Sequence, residues 1–253
     1  MRLLTLARDL KRRKARERTQ YFIAEGVRAV EELLQSGLEI RGALVAPQLE
    51  GTPRGGALRA ALDARHVETT QVSDEELASG SETDSPQGVL AIGEIPTRSL
   101  GAVEVRLRCR VLVLDAVQDP GNVGTMLRTA RALGVTATVA LPGTVDLWNA
   151  KVVRSAMGSL FSHPAIMTTW PEFDEWRGAH GVALWGADAR GEAIEALRAN
   201  APARLALAVG NEGTGLTAPT RTRSDQLVGL PVSGVESLNV AVAAGILLYE
   251  LRP

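Results

Sequence analysis

Three loops carry most of the side chains in this sequence that could do chemistry, and each follows an apolar run. The first, Asp119 to Arg128, offers Asn122 and Arg128; the second, Gly210 to Leu216, offers Glu212; the third, Leu230 to Val240, offers Ser237 and Asn239. Arg128 sits a helical turn and a half beyond Asn122, near enough for both to address one site. A guanidinium there is a salt-bridge partner or a phosphate contact. Two nucleotide-binding patterns fail: no Gly-Lys-Ser/Thr follows these glycines, Gly121 and Gly124 lack a third, and Gly210, Gly213 and Gly215 run in the wrong order. Each loop alone also has an ordinary reading. Glycines and prolines make tight turns, Asn122 caps a helix, Glu212 is a solvated turn carboxylate, and Ser237 is an N-cap.

The elements that must position these loops are legible behind the linker Pro96 to Gly101. Val111 to Leu114 reads as a short buried strand. Asn122 is the expected N-cap of a helix over Val123 to Leu133, closed by Gly134. Further strands are expected at Val135 to Leu141, Val182 to Trp185, Leu205 to Val209 and Leu227 to Leu230, with a last, buried helix over Leu238 to Leu251. Alternating strands and helices predict an α/β domain with a mostly parallel sheet, and ligands then bind at the carboxyl ends of its strands. In front lies a smaller α/β module. It has helical spacing at Leu3, Leu6 and Leu10 and at Val27, Val30, Leu33 and Leu34, and strands at Ala43 to Ala46 and Val89 to Ile92. The expected division is 1–96, a linker at 97–105, and 106–253.

Composition narrows the function classes. The chain of 253 residues is 45% hydrophobic and 23% charged, which fits a globular protein, and its net charge of −1 names no polyanionic partner by itself. Any RNA binding must come from a local patch, and Arg2, Arg8, Lys11, Arg12, Arg13, Lys14, Arg16 and Arg18 supply one. Cys109 is the only cysteine, and His66, His163 and His180 are scattered, so no intrachain disulfide or metal centre is expected. Met1 to Gln20 has no apolar core behind its charge, and the run Val240 to Leu251 is too short to span a bilayer. A cytoplasmic protein without a membrane partner is expected.

Together and in this order, the loops resemble the three signature motifs of the SpoU/TrmH family of RNA ribose methyltransferases, in the SPOUT superfamily. The motifs read Asn122-Val-Gly-Thr-Met-Leu-Arg128, Val209-Gly-Asn-Glu212-Gly-Thr-Gly-Leu216, and Leu230-Pro231 followed by Ser237-Leu238-Asn239-Val240. Lys151 to Gly158 is similar to the helix that family carries between its first two motifs. Phe22 to Arg28 and Ser85 to Leu90 are similar to the ends of its L30e-like substrate-binding domain. Ala241 and Val232 stand where serine and methionine are common, and neither removes a proposed catalytic group.

The resemblance implies a C-terminal sheet closed by a deep trefoil knot, a topology that sequence patterns never predict by default. It implies S-adenosylmethionine as cofactor, held in a bent shape mainly by backbone groups at Gly210, Leu230 and Leu238. It implies Arg128, Asn122, Glu212, Ser237 and Asn239 as the polar active-site set, with no metal. The reaction implied is transfer of methyl to a ribose 2′-hydroxyl, and the added L30e-like front domain suggests a large folded substrate, which favours ribosomal over transfer RNA as partner. A guanidinium is effectively never deprotonated in a protein, so Arg128 is read as anchoring a phosphate and orienting the ribose, with Glu212 holding it in place. The last helix, with Val240, Val242, Ala243, Ile246, Leu247 and Tyr249, is apolar on more than one face. This agrees with the homodimer that the family forms through its knotted domain. The competing readings are a non-catalytic RNA-binding protein retaining the fold and a nucleotide-dependent dehydrogenase, which the glycine order disfavours.

Overall fold

Leu3, Leu6, Ala7 and Leu10 become the buried face of α1 (Leu3–Leu10) in the computed structural model, which describes residues 2–252. The basic helix α2 (Arg13–Thr19) follows, and then β1 (Tyr21–Glu25), α3 (Val27–Gln35), β2 (Ile40–Val45), α4 (Pro53–Ala64), β3 (Thr69–Gln71), α5 (Asp74–Gly80) and β4 (Val89–Glu94). Their sheet runs β1-β4-β2-β3, with β4 antiparallel to both neighbours and β3 parallel to β2. Leu6, Leu10, Ile23, Leu44, Leu90 and Ile92 close one of its faces. The glycine- and proline-rich stretch Gly51 to Gly56 is partly helical, because Pro53 occupies the first turn of α4 and the Thr52 side chain accepts a hydrogen bond from the Gly55 amide.

The basic start of the chain is less free than its sequence suggests. Arg16 is buried and donates to the carbonyls of Leu10 and Lys11, while Arg12 pairs with Asp9 and Arg13 with Glu17. Lys14 and Arg18 remain exposed.

After the linker come β5 (Cys109–Leu114), α6 (Pro120–Ala132) and β6 (Ala137–Ala140). The next helices, α7 (Ala150–Ser155) and α8 (Ser159–Ser162), lie in the segment Trp148–Ser162, which belongs to the first compact unit together with the residues up to Thr97. The indole of Trp148 packs on Phe22 of β1 with ring centroids 4.6 Å apart. The second unit, Arg98–Leu147 and the residues from His163 on, continues with β7 (Ala165–Met167), α9 (Trp170–His180), β8 (Ala183–Ala193) and α10 (Ile194–Leu197). It ends with β9 (Arg204–Val209), α11 (Ala218–Arg223), β10 (Gln226–Gly229) and α12 (Val240–Glu250). Leu100 and Val103, inside the expected linker, pack into the core of this unit.

The second sheet has the order β10-β8-β9-β5-β6-β7, and every pairing is parallel. From β5 the chain moves outward through β6 and β7, then returns to build β8, β9 and β10 on the other side. The reversal lies between β5 and β9, so the loops after these strands open side by side at their carboxyl ends, the usual place for a ligand in such a sheet.

One buried histidine makes this unit sensitive to acid. His163 accepts from or donates to Thr138 at 2.8 Å and is pushed down to about 4 by burial first, then by the charges of Arg98 and Arg131. Its folded value lies below its unfolded one, so its stabilising contribution is complete above about pH 6.5 and is lost as pH falls toward about 4. Thermal unfolding should show a loss on the order of 3 kcal/mol across that window, and the loss should shrink in His163→Gln. An unchanged pH profile in that variant would rule the histidine out as its source.

Candidate active site

The helix after the first loop starts earlier than expected. Asp119, not Asn122, is the N-cap of α6: its carboxylate accepts the Asn122 amide N–H at 2.7 Å, and Pro120 takes the first helical position. Asn122 therefore lies within the first turn with its side chain free to reach other loops. Its Nδ2 donates to Glu212 Oε1 at 3.1 Å, and its Oδ1 accepts from Asn239 Nδ2 at 3.0 Å. Asn239 in turn caps α12, accepting from the amides of Ala241 and Val242. The last helix thus begins at Val240, and the N-cap is Asn239 rather than Ser237.

Glu212 also accepts the backbone amides of Gln118 and Asp119, at 3.3 and 3.1 Å. The expected bridge from Glu212 to Arg128 is not formed, because this carboxylate is committed to the first loop and to Asn122. Partial burial works against its charge, but the Asn122 amide and the backbone N–H groups of the first loop outweigh that and hold it below the usual carboxylate range. It is ionised at neutral pH. Three loops distant in sequence are joined by one hydrogen-bonded line, Glu212 to Asn122 to Asn239.

The turn of its own loop requires glycine at Gly210. A Cβ there would collide with the carbonyl group of Gly215, across the tight turn closed by the bridge between Asn211 and Gly215. Asn211 anchors this turn, donating to the Ala116 carbonyl and accepting the amides of Gly213 and Thr214. Asp115, fully buried at the end of β5, accepts the Thr217 amide at 2.7 Å and its hydroxyl at 3.0 Å. Sequence reasoning gave neither residue a role. A carboxylate directly after the run Val111 to Leu114 was the available signal, since a buried charge needs partners.

The second and third loops, with residues of β8, wall a cleft of about 940 Å³ beside β8, β9 and β10, within the range of small-molecule sites. Gly210, Leu230 and Leu238 line it, together with Glu212, Ser237 and Asn239. Asp188 and Arg221, paired with each other, and Arg190 stand at the same cleft. Asn122 joins the group through its hydrogen bonds. Arg128 does not line the cleft: it is exposed on α6 and makes no hydrogen bond or ion pair among the described residues. Six of the eight expected site residues therefore share one cavity, Asn122 braces it, and Arg128 stands apart. Chemically, the arrangement offers a concave site with an apolar side, fixed backbone groups and carboxylates suited to a positively charged ligand.

Comparison with known proteins agrees with this geometry. Residues 110–249 match the SpoU rRNA Methylase family, and residues 5–91 match an MRM3-like substrate binding domain. The chain is 36% identical to a 23S rRNA (guanosine(2553)-2′-O)-methyltransferase of Bacillus subtilis, over 97% of this chain and 94% of that protein. Among solved structures it resembles the SpoU methyltransferase AviRb of Streptomyces viridochromogenes in complex with the cofactor AdoMet, with TM-score 0.85, 31% identity, and 99% and 97% of the two chains covered. An AdoMet-bound rRNA methyltransferase from Sinorhizobium meliloti is similar at TM-score 0.84 and 29% identity, covering 98% of this chain and 93% of that one.

Proposed function

Because the chain belongs to the SpoU rRNA methylase family, we propose that it is a cytoplasmic enzyme that moves methyl from S-adenosylmethionine to a ribose 2′-hydroxyl of ribosomal RNA. The observation that carries this reading is the line Glu212–Asn122–Asn239, which ties the three motif loops together beside the cleft.

The cleft's own residues fit the cofactor. Leu230 and Leu238 offer an apolar side to an adenine ring, the turn from Gly210 to Gly215 presents backbone groups, and Glu212 and Glu236 set negative charge near a cationic ligand, Asp188 being paired with Arg221. The cofactor, when bound, supplies a methyl group on a positively charged sulfur. What remains for the chain is to bind, orient and neutralise. Gly210, Leu230 and Leu238 belong to the cofactor side of the reading. Asn122, Glu212 and Asn239 keep the loops in register, and Ser237 faces the ribose. Arg128 holds the adjacent phosphate; methyl transfer would break the bond to the cationic sulfur and shift its positive charge onto the 2′-oxygen, and that oxygen would then release its proton to solvent. The deep trefoil knot belongs to the same reading, with its loops forming the cleft.

The working unit in this reading is a homodimer. Val242, Ile246 and Tyr249 form an exposed apolar stripe on α12, opposite its buried face of Ala244, Leu247 and Leu248. α6 lies against α12, with Thr129 the nearest side chain to Gly245. A two-fold contact through this pair of helices would cover the stripe and carry Arg128 to the partner's cleft.

Incubating the protein with S-adenosylmethionine and 23S rRNA, then mapping 2′-O-methyl marks, tests the activity. Mapping rRNA from cells with and without the gene identifies the nucleotide. Absence of any ribose mark in both would overturn the reading. The basic N-terminal helices are expected to track the RNA backbone. Changing Lys11, Arg12, Arg13 and Lys14 to alanine should weaken RNA binding and flatten its salt dependence; an unchanged salt slope would reduce them to a solvated surface.

A further inference from the structure

Asp115 and Ala116, the two residues that follow β5, hold the second motif loop at both of its ends. At its start, Asn211 Nδ2 donates to the Ala116 carbonyl at 3.1 Å. Asn211 Oδ1 meanwhile accepts the amides of Gly213 and Thr214 and closes the turn around Glu212. At its end, the two oxygens of Asp115 take the amide and the hydroxyl of Thr217, whose side chain also caps α11 through the Thr220 amide. Asp115 is fixed in turn by its own amide, which donates to the Val209 carbonyl at 2.9 Å. Between the two anchors, Asn211 to Gly215 line the cleft, and α11 brings Arg221 to it.

Both anchoring residues are unfavourable choices for their surroundings. Asp115 is 1% exposed, and no cation pairs with it among the described residues. The two donors it meets there are neutral, and both come from Thr217. A carboxylate taken out of water with so few partners carries a desolvation penalty that an apolar residue would avoid. Ala116 adopts a left-handed φ of +58°, which a residue bearing a Cβ seldom takes. Such features persist where the surrounding structure over-determines them, and they cluster where a ligand must be met by a fixed shape.

We propose that Asp115 is a positioning residue for the cofactor, keeping the second motif loop in its ligand-ready shape by holding Thr217. Asp115 lies behind the cleft wall rather than in it, so it acts through Thr217 and the chain leading back to Gly210. With that tether broken, the end of the loop spreads over other conformations, and apparent affinity falls with the fraction that stays competent. Glu212 remains fastened to Gln118, Asp119 and Asn122, so the first loop keeps its register. The inference rests on the methyltransferase reading above and adds a residue on which its cofactor binding depends.

The test is calorimetry of S-adenosylmethionine binding to wild type, Asp115→Asn, Thr217→Val and Thr217→Ser, well below their melting transitions. Amide hydrogen exchange over residues 210–217 is followed in the cofactor-free proteins. Asp115→Asn removes one acceptor oxygen and Thr217→Val removes the hydroxyl, and each should weaken binding roughly tenfold and speed exchange in the loop. Thr217→Ser keeps both donors and should bind within about twofold of wild type. In turnover, KM for S-adenosylmethionine should rise while kcat at saturation stays within about threefold and KM for RNA is unchanged. The Thr217 pair keeps the test decisive if Asp115→Asn does not fold. Variants that lose melting temperature but bind S-adenosylmethionine like wild type overturn the positioning role and leave methyl transfer standing. A wild-type protein that neither binds S-adenosylmethionine nor methylates 23S rRNA overturns both.

Discussion

Arg128→Ala should slow methyl transfer at least about a hundredfold, equivalent to about 2.7 kcal/mol of barrier, while S-adenosylmethionine affinity stays within about threefold of wild type. The split follows from position. Arg128 is not among the residues lining the cleft, so its removal leaves the cofactor's surroundings intact. A guanidinium that positions a phosphate acts on the geometry of the reacting hydroxyl, and misplacement of that kind is read in kcat rather than in cofactor binding. Arg128→Lys separates positioning from charge. A lysine keeps the charge and loses the planar fork, so it should recover only part of the rate. Activity of Arg128→Ala within a few-fold of wild type would remove the arginine from the mechanism.

Val242→Glu combined with Ile246→Glu should convert the protein to monomers and lower activity by a similar factor of about a hundred. Val242, Ile246 and Tyr249 are 51%, 41% and 53% exposed and share one side of α12, so the changes introduce charge without disturbing a buried side chain. Light scattering at micromolar concentration should give the wild type roughly twice 26.9 kDa and the variant close to 26.9 kDa. Circular dichroism with an unchanged melting temperature distinguishes lost assembly from lost folding. The rate falls because Arg128, apart from its own chain's cleft, is read as completing the partner's. A wild type that is fully active at monomer mass would refute the dimer, and a dissociated variant of normal rate would refute the shared site.

Much of the molecule was legible in residue order, for local physical reasons. The apolar runs at Val111 to Leu114 and Leu205 to Val209 became strands because β-branched and aliphatic residues suit a sheet covered on both faces. The alternation of strands and helices implied parallel pairing, and strand ends were the expected place for ligands. The loops holding Asn122, Glu212, Ser237 and Asn239 were legible as turns because glycine, proline and small polar residues cluster there, and as motifs only through their resemblance, in that order, to the SpoU/TrmH signature.

What only the tertiary structure decided is which polar group meets which. Asn122 and Asn239 are separated by 117 positions, and Asn122 and Glu212 by 90, so no periodicity could pair them. Glu212 holds Asn122 and not Arg128, and Asp119 displaced Asn122 as the cap of α6, because a carboxylate one turn earlier could reach the Asn122 amide. Gly210 is glycine for its own turn, since the clash at that Cβ is with Gly215. The segment Trp148–Ser162 packs with the first unit, where the ring of Trp148 rests on Phe22. Propensity and spacing act over a few residues and therefore specify elements. Hydrogen-bond partners and shared cavities depend on distances that exist only once the sheet has brought remote loops together.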